Sequence, residues 1–185
     1  MKCKGCKQPF VKLRPMQIAC SPDCAYIIGK RAGDRARARE ARIESQETLK
    51  RIEALMTLQQ RSKAAEKAVN RYVRLRDASD GCISCLKGPE WSGQWHASHF
   101  RSVGAASSIR FNLWNINKAC SVCNNFKSGN LSEYEQRLIL NIGKDKVEWL
   151  KTQNQIRRYD AEYLNRLKQI FNRRANRLSK RLSVE

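Results

Sequence analysis

The chain has 185 residues, 37 of them Lys or Arg against 17 Asp or Glu, giving a formal net charge of +20 and an isoelectric point near 10.1. That imbalance calls for a polyanionic partner such as nucleic acid, and its presence in segments 1–24, 25–80, 81–150 and 151–185 alike excludes a single basic tail as its source. Nothing resembles a signal peptide or a membrane span, so the sequence predicts an intracellular, cytoplasmic protein of about one to two domains with no membrane partner.

All eight cysteines fall in close pairs: Cys3 with Cys6, Cys20 with Cys24, Cys82 with Cys85, and Cys120 with Cys123. In a reducing compartment such pairs are metal ligands rather than a disulfide framework, because two thiolates two or three residues apart can grip one ion from a single turn. Taken in sequence order they predict two structural Zn2+ sites of four thiolates each. Residues 1–24, with Pro9, Pro15 and Pro22, are too few to bury a core without a metal and read as a zinc knuckle.

Residues 25–78 read as a long basic helical spacer, one helix or one broken once, since proline is absent and no glycine follows Gly33 until Gly81. A continuous helix over 34–78 would span about 67 Å at ~1.5 Å per residue. Only its second half has an apolar face, through Ala65, Ala68, Val69, Tyr72 and Val73. Residues 79–130 are rich in Gly, Ser, Asn and aromatics, suiting loops and short strands around a metal. Ser132 to Glu135 has capping-box spacing and Gly143 suits a helix end, which predicts a short helix over 133–142. A basic C-terminal helix is expected from near Asp145 to about Leu182, within segment 144–185. Its stripe of Tyr159, Tyr163, Leu167, Ile170 and Phe171 is expected to pack on the apolar half of the spacer.

The most informative stretch runs from Cys82 to Asn130. It contains Gln94-Trp95-His96-Ala97-Ser98-His99-Phe100-Arg101, then Asn115-Ile116-Asn117-Lys118-Ala119-Cys120-Ser121-Val122-Cys123-Asn124-Asn125-Phe126-Lys127-Ser128-Gly129-Asn130. This segment resembles the HNH, or ββα-metal, endonuclease superfamily, and more narrowly the phage NinG family, also called Rap, of recombination endonucleases. The spacing is also similar to that of phage endonuclease VII, a Holliday-junction resolvase with Asp-x-x-His in place of His96-x-x-His99. The resemblance covers nearly the whole chain, although only the central motifs are specific.

The resemblance implies a mainly α protein with a small α+β core: a zinc-stapled ββα-metal nuclease centre over 79–143, an N-terminal knuckle, and long basic helices on both sides. His99 would stand on the first strand, a loop through Gly104 would follow, and a short helix would begin near Cys123. It further implies a structure-specific DNA endonuclease of phage recombination that hydrolyses phosphodiesters at Holliday junctions or D-loops in the host cytoplasm. By the same resemblance His99 is the general base and Asn115 a residue of the catalytic motif that bonds across the loop. His96 and Asn124 hold a catalytic divalent ion. Cys82, Cys85, Cys120 and Cys123 hold one structural zinc, and Cys3, Cys6, Cys20 and Cys24 hold the other.

Residue chemistry agrees with those roles. Phosphodiester hydrolysis needs a base to take a proton from water and a divalent ion to neutralise phosphate charge, and neutral imidazole suits the first task near pH 7. Arg101, Arg110, Lys118 and Lys127 are candidates for phosphate contact. His96 departs from the more usual Asp, and imidazole suits Mn2+, Co2+ or Ni2+ better than Mg2+. Symmetric cutting of a junction needs two sites, so a homodimer is expected. The competing class is a non-catalytic zinc protein that recognises branched DNA by shape and charge. RNA is a third candidate ligand, disfavoured because few aromatics interleave with the basic residues.

Overall fold

Ser21 and Pro22 begin the first helix. The Ser21 hydroxyl accepts from the Cys24 backbone N–H, and Pro22 at the first helical position gives up a donor that would have no intrahelical partner. Helix α1 then runs Pro22–Leu55 through alanine, arginine and glutamate. Cys24 is its one buried residue. The computed structural model describes residues 1–183; Val184 and Glu185, at the end of the expected 144–185 segment, lie outside the described residues.

Packing divides the chain into two compact units, Met1–Met56 and Thr57–Glu185. In the first, Cys3, Ala19 and Cys24 form a small buried cluster with Phe10 and Ile28 against it. Arg31 on α1 donates to the Gly5 carbonyl at 3.3 Å, fastening the knuckle to the helix. Beyond that point the large apolar side chains of α1, Ile43, Leu49, Ile52 and Leu55, are exposed.

The helical spacer, expected as one long helix or one broken once, is broken once. Met56 and Thr57 turn extended, with ψ of 130° and 161°, and Thr57 starts α2, Leu58–Arg76, with a reciprocal capping box. The Thr57 hydroxyl accepts from the Gln60 N–H, and the Gln60 side chain accepts from the Thr57 N–H at 2.8 Å. Segment 57–78, expected with the spacer, thus packs in the second unit.

There a two-stranded antiparallel sheet joins β1, Trp95–His99, to β2, Ile116–Cys120, with His96 opposite Ala119 and His99 opposite Ile116. Helix α3, Ser121–Phe126, follows β2 without a break, and α4 spans Leu131–Ile142. The predicted Ser132 cap is not used. Ser128, Gly129 and Asn130 all take positive φ, and α4 starts directly after Asn130, whose amide donates to the Ser84 carbonyl instead. Gly143, at φ 90°, ends α4 as the sequence predicts.

The expected single helix from 145 to 182 is two helices, α5 at Lys144–Thr152 and α6 at Ala161–Leu182. The stretch between them straps the 101–110 loop. Ser108 N–H donates to the Gln155 carbonyl, Arg157 N–H to the Ser107 hydroxyl, and the Tyr159 hydroxyl reaches the Ser107 and Ser108 carbonyls. Those bonds hold the backbone outside a helix, and Asp160 restarts it by capping Tyr163.

The C-terminal stripe packs on α2 as predicted. Ala65, Ala68, Val69 and Val73 share a core with Leu164, Phe171, Phe111 and Ile116, and the Tyr72 and Phe171 rings meet edge-on at 5.2 Å. A second core joins Tyr134, Leu138, Val147 and Leu150 of α4 and α5 to Phe100, Ile109 and the second cysteine cluster. The molecule is therefore mainly helical with one small antiparallel sheet and two four-cysteine clusters, as the sequence led us to expect. No helix among the described residues is long and apolar enough to cross a membrane. Leu164→Ala is expected to destabilise the second unit by about 2–5 kcal/mol, whereas Leu49→Ala on exposed α1 should stay within ~0.5 kcal/mol. Denaturant unfolding of the two variants checks the contrast.

Candidate active site and metal centres

Each cysteine cluster gathers four sulfurs that all lie within 4.8 Å of one another. In the knuckle Cys6 and Cys20 are 3.6 Å apart and Cys20 and Cys24 3.5 Å; in the other cluster Cys85 and Cys120 are 3.8 Å apart. A tetrahedron with zinc–sulfur bonds of ~2.3 Å places its sulfurs about 3.8 Å apart, so both groups can hold zinc. Backbone N–H groups point at the sulfurs as they would at thiolates. Gly5 and Cys20 donate to Cys3, Ser84 and Cys120 to Cys82, and Cys123 to Cys120.

Charge at the knuckle argues the same way. The backbone of Cys6, helped by Cys20 and Gly5, draws the Cys3 thiol down to about 6, while Cys24, Cys3 and Cys6 push the Cys20 thiol up to about 12. Four thiolates crowded together repel one another until a divalent cation is present. Gly5 is required here, since an added Cβ would meet Cys24 Cβ at 2.9 Å.

The second cluster ties the candidate active site together. Cys82 and Cys85 sit on the loop before β1, Cys120 ends β2, and Cys123 lies in the first turn of α3. Arg137 of α4 donates to the Cys82 and Cys85 carbonyls at 2.9 and 2.6 Å, closing the loop from behind. The residue after Cys123 is Asn124, which is thereby fixed beside β1.

Here a polar cleft of about 610 Å3 opens. Its walls are Gln94, His96 and His99 from β1 and its approach, Asn124 from α3, and Glu66, Asn70 and Arg74 from α2. His99, the last residue of β1, has Nε2 2.9 Å from the Arg110 carbonyl. A carbonyl can only accept, so Nε2 carries the hydrogen and Nδ1 keeps a free lone pair. Burial lowers the His99 pKa, although the Arg110 carbonyl and the Glu66 carboxylate pull it upward. The ring is therefore a neutral base at physiological pH.

His96 Nδ1 and the Asn124 amide meet at 3.1 Å, with the amide N–H as donor. A divalent ion shared by the two residues would need the amide oxygen in place of the nitrogen beside the ring, because an amide nitrogen offers no lone pair to a metal.

Asn115 is fully buried on the loop side of the sheet. Its amide oxygen accepts from Arg101 N–H at 2.7 Å, and its nitrogen donates to the Arg101 and Ile109 carbonyls. It pins both ends of the loop that delivers the Arg110 carbonyl to His99, so it positions the His99 ring and does not itself line the cleft.

The candidate phosphate-contacting residues separate sharply. Lys118 is buried, its ammonium donating to the Ala78 carbonyl at 3.1 Å and lying 4.4 Å from the Trp95 ring centroid, apart from the cleft of His96 and His99. Arg110 is paired with Glu66 at 2.6 Å, and Arg101 with Asn154 at 2.7 Å. Lys127, at the end of α3, is exposed. The sequence pattern does not single out the α2 contribution: Glu66, Asn70 and Arg74 recur every fourth residue, a spacing that any solvated helix face also shows.

The chain is thus a basic helical protein with two thiolate clusters, one of which stations an asparagine beside two histidines. It belongs to the phage NinG family, matching the family described as "Bacteriophage Lambda NinG protein" over residues 1–181. It is similar to Protein ninG of Escherichia phage lambda, with 36% identity over 195 residues covering 94% of this chain and 95% of that protein. Protein ninG of Salmonella phage P22 is 35% identical over 180 residues, covering 90% of this chain and 88% of the relative. No solved structure matches the chain.

Purified under reducing conditions, the protein is expected to release two Zn2+ per chain when its thiols are modified, counted with a colorimetric chelator. Cys123→Ser should bind one and melt at lower temperature; a metal-free wild-type protein that stays folded would overturn both zinc assignments.

Proposed function

We propose that the protein is a metal-dependent endonuclease of the ββα-metal type that cuts branched DNA, including Holliday junctions and D-loops. The observation that carries this reading is the His99 ring: one nitrogen is tied to the Arg110 carbonyl, and the other is left as a lone pair in a polar cleft with His96 and Asn124. The order strand, loop, strand, short helix around that cleft supports the same reading, as does the resemblance to recombination endonucleases. The charge of +20 supports a DNA substrate.

In the proposed reaction a water molecule attacks the scissile phosphorus as His99 Nδ1 takes its proton. A P–O bond breaks on the far side, and the leaving oxygen ends as a hydroxyl after gaining a proton from solvent. A divalent ion held by His96 and Asn124 would supply neutralisation of charge on the phosphate and the leaving oxygen. Asn115 holds the loop so that the base stays in its working tautomer. Branch selectivity would follow from phosphate contacts along two duplex arms with little base readout, and a homodimer would present two clefts to the two strands of a junction.

Labelled four-way junction, D-loop and linear duplex are the substrates for the test. Branch-selective cutting is expected from wild type, with a loss of about 100-fold or more in His99→Ala, since general bases contribute roughly 10²–10⁴. Tight binding with no cutting under any divalent metal would instead make this a DNA-binding protein with a silent site. Because burial lowers the His99 pKa, the rate should stay flat through neutrality and fall only below pH 6.5. A half-maximal rate above that value would contradict the assigned base.

The metal preference is a separate expectation. With imidazole rather than carboxylate at residue 96, Mn2+, Co2+ or Ni2+ should support faster cutting than Mg2+, and His96→Asp should shift the preference toward Mg2+. Titration of each ion against both proteins checks this, and an unchanged preference would remove His96 from the ligand set.

A further inference from the structure

Two arginines in the last turn of α2 have opposite fates. Arg76 is consumed by the protein: it pairs with Asp77 and donates to the Leu113 and Ile116 carbonyls and to the Asn117 side chain. Arg74 makes no hydrogen bond, ion pair or ring contact among the described residues, yet it is half-buried and lines the cleft of His96, His99 and Asn124.

Its surroundings leave it uncompensated. The carboxylate in the cleft wall, Glu66, is already neutralised by Arg110 at 2.6 Å. Asn70, one helical turn before Arg74 and lining the same cleft, has a buried side-chain oxygen with no partner. The Arg74 guanidinium nitrogens are open to the cleft with their donors uncommitted. The Asn70 oxygen can only accept, so the donors that this wall offers an anion are those of Arg74. Planar paired N–H donors match the non-bridging oxygens of a phosphodiester better than a lysine would.

We infer that Arg74 grips the scissile phosphate, making α2 the third wall of the catalytic centre together with β1 and α3. The inference rests on the endonuclease reading and adds to it a catalytic residue outside the central motif. Its role is electrostatic: the guanidinium meets charge that builds on the phosphate oxygens as water adds.

The test uses the full-length protein with Arg74→Ala and Arg74→Lys, a four-way junction and Mn2+, alongside junction binding in EDTA by fluorescence anisotropy. Arg74→Ala should retain the wild-type melting temperature, because the side chain makes no polar or ring contact that the fold would lose. Its cleavage rate constant at saturating DNA should fall about 100-fold. Arg74→Lys should recover part of the rate, and added guanidinium chloride at millimolar concentration should recover part of the Arg74→Ala loss, which a merely structural residue would not permit. If Arg74→Ala cuts and binds like wild type, the inference is overturned while the endonuclease reading stands. If wild type cuts nothing but Arg74→Ala weakens junction binding several-fold, the endonuclease reading fails and a phosphate contact at Arg74 survives. No cutting together with unchanged binding would remove both.

Discussion

The second thiolate cluster is the constraint on which the cleft depends. Cys82 and Cys85 come from a loop, Cys120 from the end of β2 and Cys123 from the start of α3, so one four-sulfur group joins three pieces of backbone at a single point. Cys120 also caps α3 by accepting from Cys123 N–H. A six-residue helix is far too short to persist alone. Its tie to the cluster makes Asn124 a rigid group instead of a mobile one, and the 3.1 Å approach to His96 follows.

A second anchor sets the opposite wall. Asp77, buried at the end of α2, accepts from Lys118 N–H at 3.0 Å, while Arg76 beside it reaches the carbonyls of Leu113 and Ile116. The β2 backbone is thereby bonded to α2 by side chains where it has no further strand to pair with. Polar groups of a two-stranded sheet need partners outside it. Supplying them from α2 also brings Glu66, Asn70 and Arg74 against β1, so the fold's way of satisfying β2 and the composition of the cleft have one cause.

Much of this was legible in residue order. The cysteine pairs identified both clusters because thiolates at those spacings have few other uses, and the apolar positions of α2 and α6 announced their packing. What escaped depended on side chains that act at a distance. The break at Met56 was written locally, in Thr57 and Gln60, but the helix-forming residues on both sides of it, from Glu53 to Met56 and from Leu58 to Arg61, masked the capping signal. The strap over 153–160 was harder, because it exists to satisfy loop groups at Ser107 and Ser108 about 50 positions away in sequence; only Asp160 hinted that a new helix begins.

Basic residues were the least legible of all, and the reason is physical. Composition counts Lys118 and Lys127 alike because a sequence carries no depth. Lys127 faces solvent, whereas burial holds the Lys118 ammonium below its ordinary pKa even as Asp80 and Asp77 pull it up. A cation that has met a carbonyl, a ring or a carboxylate has little left to offer a phosphate. By that criterion Arg76, Arg110 and Lys118 belong to the architecture, and because the carboxylates of Asp77 and Glu66 are spent on two of them, the net +20 resides mostly on other basic side chains. The same criterion isolates Arg74: it stands in the cleft with its donors unspent, where a phosphate approaching His99 would meet it.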